Sequence, residues 1–135
     1  MDNINLEVLT PEKLLLNENV ESVTVPGTKG SFQVLKDHAP LISTIDIGII
    51  DVKKNNEKEH FTTGGGTIEV LKNKITILVD SIEKVEDIDV DRAEKAKERA
   101  EERLIKKNEE GIDALRAELA LKRAINRIGA KKKYF

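Results

Sequence analysis

A chain of 135 residues suffices for one ordinary domain, or for a small domain with an appendage. Its formal net charge of −2 gives the whole molecule no bulk attraction to nucleic acid, and the absence of cysteine excludes disulfides, thiolate catalysis and thiolate metal sites. Charged residues still make up 36% of the chain, so what matters is where they sit.

No apolar run approaches the roughly 20 residues that a bilayer span needs. The stretch Met1–Glu7 is too polar for a signal peptide. The expectation is an intracellular protein that is not itself membrane-inserted.

From Ile4 to about Glu83 the chain reads as short strands. "NLEVL", "VESVTV", "SFQVL", "IDIGIIDV", "TIEV" and "ITILV" are rich in Val, Ile, Leu and Thr, and several alternate with a period of two. Turn-forming residues separate them at 26–30 ("PGTKG"), 36–40 ("KDHAP"), 54–59 ("KNNEKE"), 63–66 ("TGGG") and 72–74 ("KNK"). This spacing predicts a β-sandwich or barrel with an aliphatic core. Gly64–Gly66 invites a phosphate-loop reading, but no Gly-Lys-Ser/Thr follows and a strand comes next. A bulge or tight corner fits better.

From about Asp89 the apolar period becomes 3.6. Asp91 and Glu94 have the spacing of a capping box, opening a helix to roughly Lys107. "NEEG" (108–111) ends it, with Gly111 as a left-handed stop, and a second helix spans about Asp113 to Ile128, with Gly129 and a basic tail beyond. The predicted fold is mainly β plus α. A β-sandwich over 1–85 precedes an antiparallel helical hairpin over 86–135.

On the first helix Ala93, Ala96, Ala100 and Leu104 form a narrow stripe beside Arg92, Lys95, Arg99, Arg103 and Lys106. Alanine buries little area, so this contact is light. Rows of like charge at i,i+4 cost a few tenths of a kcal/mol per pair unless a counter-charge arrives. On the second helix Arg116, Arg123 and Arg127 align. A hairpin folded about residue 110 then gathers Arg92, Arg99, Arg123 and Arg127, guanidiniums suited to a polyphosphate or carboxylates. Periodicity alone favours a solvated basic face balanced by Glu83, Glu86 and neighbouring acids.

His38 and His60 lack partners at ligand spacing, no serine sits in a Gly-x-Ser-x-Gly turn, and aromatics are few. The expectation is no catalytic site, no metal site and no nucleic-acid partner.

Three stretches together resemble the epsilon-subunit family of bacterial F-type ATP synthases. They are "VESVTVPGTKGSFQVLKDHAPLIS" (20–43), "GGGTIEVLKNKITILVDSIE" (64–83) and "EDIDVDRAEKAKERAEERL" (86–104). The resemblance implies a non-catalytic central-stalk subunit that binds the gamma subunit and the c-ring, coupling rotation to the catalytic head. It also implies a hairpin that inhibits ATP hydrolysis by reaching the alpha/beta head. Basic residues, here Arg103, Lys106, Arg116 and Lys122, would meet an acidic helix-turn-helix of beta.

Part of that family binds ATP on the folded hairpin through an Ile/Leu-Asp-x-x-Arg-Ala motif, matched here by Ile88, Asp89, Arg92 and Ala93. Glu83, Arg99, Arg123 and Arg127 match the remaining site positions. ATP would then be a regulatory ligand, with no cofactor required. The family's c-ring contact loop maps onto Gly30, Ser31 and His38. The implied location is the cytoplasmic face of the bacterial plasma membrane, peripheral, as part of the synthase. Gln33, Lys36–Asp37 and Thr67 depart from the usual pattern in the sandwich and leave the hairpin motif untouched. Two other readings stand beside this one: an epsilon chain regulating through protein contacts without ATP, and a β-sandwich interaction module with a helical arm.

Overall fold

A computed structural model describes residues 3–109 and 111–135, so Glu110, inside the predicted "NEEG" break, lies outside the described residues. The chain forms two compact units, the first ending at Lys84 and the second running Val85–Phe135.

The first unit contains β1 (Ile4–Leu9), β2 (Leu14–Val20), β3 (Ser22–Gly27), β4 (Gly30–Val34) and β5 (Leu41–Ile45). β6 (Gly48–Lys54), β7 (Glu57–Thr63), β8 (Gly66–Leu71), β9 (Lys74–Val79) and β10 (Ile82–Lys84) follow. Hydrogen bonding runs β10-β7-β6-β3-β5-β8-β9-β1-β2, with β4 on β3. β3 and β5 share a single pair, Gly27 with Ile45, so the path divides there into two five-stranded layers. β1 and β9 run parallel; the other ladders are antiparallel.

Alternate residues turn inward and fill the space between the layers. Leu6, Val8, Ile75 and Ile77 come from one layer, and Val23, Val25, Ile50 and Val52 from the other; all are at most 1% exposed. Phe61 is the one aromatic in this buried cluster among the described residues. This is the expected β-sandwich with an aliphatic core.

Local departures from the expected strands have clear causes. "VESVTV" is divided: Val20 closes β2, and Glu21 turns its N–H to the Lys53 carbonyl at 2.8 Å before β3 begins. "IDIGIIDV" divides likewise after Ile45, where the Asp46 N–H donates to the Pro26 carbonyl at 2.8 Å. "KNNEKE" is not a loop of six. Asn55 and Asn56 form a two-residue turn at φ 53° and 63°, and Glu57 already pairs with Lys54 in the β6–β7 ladder. Left-handed asparagines in a two-residue hairpin match the twist of the strands they join.

The second unit opens on a short 3₁₀ turn, Val85–Asp87, followed by α1 (Val90–Ile105) and α2 (Ala114–Tyr134). α1 is capped by Asp89 rather than by Asp91, which lies inside its first turn. Gly111 does adopt φ +88°, but within the connection, six positions after α1 has ended. α2 continues through Gly129 to Tyr134, past the expected end at Ile128. Helical glycine costs about 1 kcal/mol, but Ala130 beyond it is buried and Lys131, Lys132 and Lys133 complement the negative end of the dipole. No helix among the described residues is long and apolar enough to cross a membrane.

Candidate functional site

Both helices start on the same Ile-Asp-x-x-Arg-Ala signal. "IDVDRA" at 88–93 recurs as "IDALRA" at 112–117, a repeat that reading the chain forward missed and that self-comparison of the sequence finds. The physical reason for the signal is visible at each copy. Asp89 sits in extended backbone at φ −86° and accepts from the Arg92 backbone N–H at 3.2 Å. Asp113, at φ −95°, accepts from the Arg116 N–H at 3.1 Å. Each aspartate thereby satisfies a donor that the helix cannot, and its charge faces the positive end of the dipole. Before each cap stands an isoleucine and four positions after it a buried alanine, Ala93 or Ala117, the arrangement of a hydrophobic staple. Ile88 is 4% exposed, and Ile112 is half-buried.

α1 and α2 pack against each other. The Lys131 ammonium Nζ donates to the Glu86 carbonyl at 2.5 Å, so the far end of α2 lies beside the start of α1 and the pair is antiparallel. The buried alanines agree with this register. Ala93 with Ala124, and Ala100 with Ala117, give the same numerical total as Glu86 with Lys131.

This register sets the levels of the arginines. Arg92 falls within about two residues, or ~3 Å along the axis, of both Arg123 and Arg127. Arg99 falls within about two residues of Arg116, and about five from Arg123. Arginine immediately precedes each of those four alanines, giving Arg92, Arg99, Arg116 and Arg123. The two-fold axis relating an antiparallel pair is normal to the plane of the helices, so these four positions share one face of the hairpin. Arg92 and Arg99 are exposed, while Arg123 and Arg127 are half-buried and already engage other groups. Chemically, Arg92, Arg123 and Arg127 around the open end offer planar, permanently charged donors to a phosphate chain.

The other predicted positions are distributed as follows. Glu83 belongs to the first unit, on β10 opposite Thr62, whereas the remaining seven nucleotide positions belong to the second. Arg103, Lys106, Arg116 and Lys122 are all exposed. Gly30 and Ser31 open β4 at the β3–β4 turn, but His38 lies past the other end of that strand, so the three do not form one loop. His38 is held in place by its own backbone contacts: its N–H donates to the Leu35 carbonyl at 3.2 Å, and its ring Nδ1 lies 2.7 Å from the Ala39 carbonyl. Beside it, Asp37 is tied to the β8–β9 turn, its N–H donating to Asn73 Oδ1 at 2.7 Å. His60 pairs instead with Asp51 across β6 and β7 at 2.5 Å. Among the described residues no group of three or more His, Asp or Glu is placed to hold a metal.

Both units have counterparts among known proteins. Residues 3–85 match the family described as ATP synthase, delta/epsilon chain, beta-sandwich domain, and residues 86–132 match its long alpha-helix domain. The chain belongs to the ATP synthase delta/epsilon family. Its relatives there include the ATP synthase epsilon chain of Desulfitobacterium hafniense strain Y51, 51% identical over 125 residues and covering 93% of each chain. The epsilon chain of Nitratidesulfovibrio vulgaris strain DP4 is 46% identical over 126 residues, again 93% of each. That of Moorella thermoacetica is 40% identical over 131 residues, 96% of this chain and 97% of the other. Among solved structures, a chain of the Euglena gracilis mitochondrial ATP synthase superposes with a TM-score of 0.83, at 22% identity, over 96% of this chain and 82% of that one. A chain of the Tetrahymena thermophila mitochondrial ATP synthase gives 0.61 at 17% identity, over 96% and 93%. At these identities the two superpositions speak to the fold of this family member alone.

Proposed function

We propose that this epsilon-family chain is a non-catalytic coupling and regulatory subunit of the central stalk of a bacterial ATP synthase. In this reading the sandwich binds the gamma subunit and the c-ring at the cytoplasmic face of the plasma membrane, and the complex couples ion transport to ATP synthesis. The hairpin restrains ATP hydrolysis through Arg103, Lys106, Arg116 and Lys122 against an acidic surface of the head. ATP binds the folded hairpin as a signal through Ile88, Asp89, Arg92, Ala93, Arg99, Arg123 and Arg127. The observation that carries the nucleotide reading is the register that groups Arg92, Arg123 and Arg127 at the open end of the hairpin.

A ligand that binds only the folded form stabilises it according to its concentration over its dissociation constant, by about 2.7 kcal/mol at a hundredfold excess. ATP added to the whole chain should therefore raise its melting temperature, and Arg92→Ala should remove most of the rise. A wild-type chain whose melting ignores ATP sinks the nucleotide reading.

The repeat favours a second reading. Because "IDALRA" caps α2 as "IDVDRA" caps α1, the motif has a sufficient reason to exist in helix initiation alone. The hairpin would then regulate through protein contacts only. Calorimetric titration with ATP separates the two.

A further inference from the structure

We propose that Lys131 is a positioning residue: it clasps the 3₁₀ turn Val85–Asp87 to the end of α2 and so sets the start of α1 against Arg127. The inference that this bears on nucleotide binding rests on the nucleotide reading above; the clasp itself does not.

The clasp is built from several contacts. Lys131 Nζ donates to the Glu86 carbonyl at 2.5 Å, and the same ammonium stands 5.0 Å from the centre of the Phe135 ring. The Phe135 N–H donates back to the Lys131 carbonyl at 2.9 Å, continuing the helical ladder and keeping the ring beside the lysine. Beneath this polar contact an apolar one holds the same two segments. The 3₁₀ turn packs on α2, Val85 is fully buried in it, and Ala130, next to Lys131, is 2% exposed.

The last carbonyls of a short helical turn have no partner within it, so an ammonium is a strong partner for the one at Glu86. The ring gives the cation a second favourable surface and restricts its rotamers. Asp89 and Arg92 follow Glu86 by three and six residues along a chain whose next links are fixed. The Ile88 N–H donates to the Val85 carbonyl at 3.2 Å, and Asp89 caps α1. Holding Glu86 therefore holds the first turn of α1, and with it the level of Arg92 relative to Arg127. Lys131 has no need to touch a ligand to do this. Lysine suits the position, because a single carbonyl oxygen asks for one compact donor, whereas the arginine fork is matched to the two oxygens of a carboxylate.

The test uses the whole chain as wild type, Lys131→Ala and Lys131→Arg, with amide hydrogen exchange measured without nucleotide. Lys131→Ala should speed exchange in residues 85–93 by about fivefold, the scale of one exposed charge-assisted hydrogen bond. The sandwich strands should stay unchanged, and Lys131→Arg, which keeps a charged donor, should restore most of the protection. Unchanged exchange in residues 85–93 overturns the clasp. A second arm measures ATP binding by calorimetry. Lys131→Ala should weaken it by a similar factor with partial rescue by arginine. Faster exchange with unaltered affinity refutes the positioning of nucleotide residues. A wild type that binds no ATP refutes the nucleotide reading, and the exchange arm then judges the clasp alone.

Discussion

A methyl group built on Gly66 would lie 2.0 Å from the Leu78 carbonyl oxygen and 2.7 Å from the Val79 Cα, both on the neighbouring strand β9. A methyl on Gly129, exposed on α2, would meet nothing within 4 Å. The same substitution therefore acts with opposite signs. Gly66→Ala should cost about 3 kcal/mol, since backbone must move to admit it. Gly129→Ala should gain about 1 kcal/mol by restricting the unfolded chain and favouring the helix. Urea unfolding of the two variants checks both, and equal effects would contradict the packing described. That Gly64–Gly66 forms a tight corner could be read from the residues that follow. That Gly66 approaches its neighbours more closely than Gly65 does could not be, because it depends on the register of β8 with β9. Gly65 takes φ +98° instead, its N–H donating to Thr63 Oγ1 at 3.1 Å.

At the scale of elements, the two helix starts invite a matched comparison. Removing an aspartate cap costs typically about 1 kcal/mol. Asp113→Ala should lower the stability of the hairpin by that amount, seen as an earlier loss of helical circular dichroism, with ATP affinity falling no further than this loss explains. Asp89→Ala should weaken ATP binding beyond the same allowance. Equal deficits in the two variants would assign the motif to folding alone. Elements announced by apolar alternation, such as "TIEV" and "ITILV", were legible in the sequence, and so was the change of period near Asp89. Glu57–Thr63 was not, because "EKEH" has the composition of a loop and is a strand only by virtue of its pairing with β6. The end of α2 was hidden for a similar reason. Gly129 is a stop signal only where nothing beyond it is held, and here Ala130 and Lys131 both are.

For the molecule as a whole, the partition into sandwich and hairpin and the family itself were readable from order and spacing of motifs, while the levels of the arginines needed the Lys131 contact. An ion pair ties the two layers of the sandwich. Lys54 of β6 donates to Glu18 of β2 at 2.8 Å. The hydrogen bond to Glu18, and then its charge, raise the Lys54 pKa above the ordinary lysine value of 10.5. A group whose pKa rises on folding contributes fully below its unfolded pKa and ceases to contribute as pH climbs through the folded one. The melting temperature of wild type relative to Glu18→Gln should thus be higher at neutral pH, and this advantage should shrink only above about pH 10.5. Thermal melts between pH 7 and 12 decide it, and an advantage that vanishes by pH 9 would assign the effect elsewhere.

The lone Gly27–Ile45 pair gives this arrangement a mechanical meaning. A load sliding one layer over the other meets few hydrogen bonds at that junction, namely the Gly27–Ile45 pair, the Asp46 N–H on the Pro26 carbonyl and Thr28 on Thr44, beside interleaved aliphatic side chains and the Lys54–Glu18 tie. Hydrogen-bonded strands fail abruptly, whereas methyl groups slip past one another in small steps. Under shear, the plane between the layers should yield before either sheet tears.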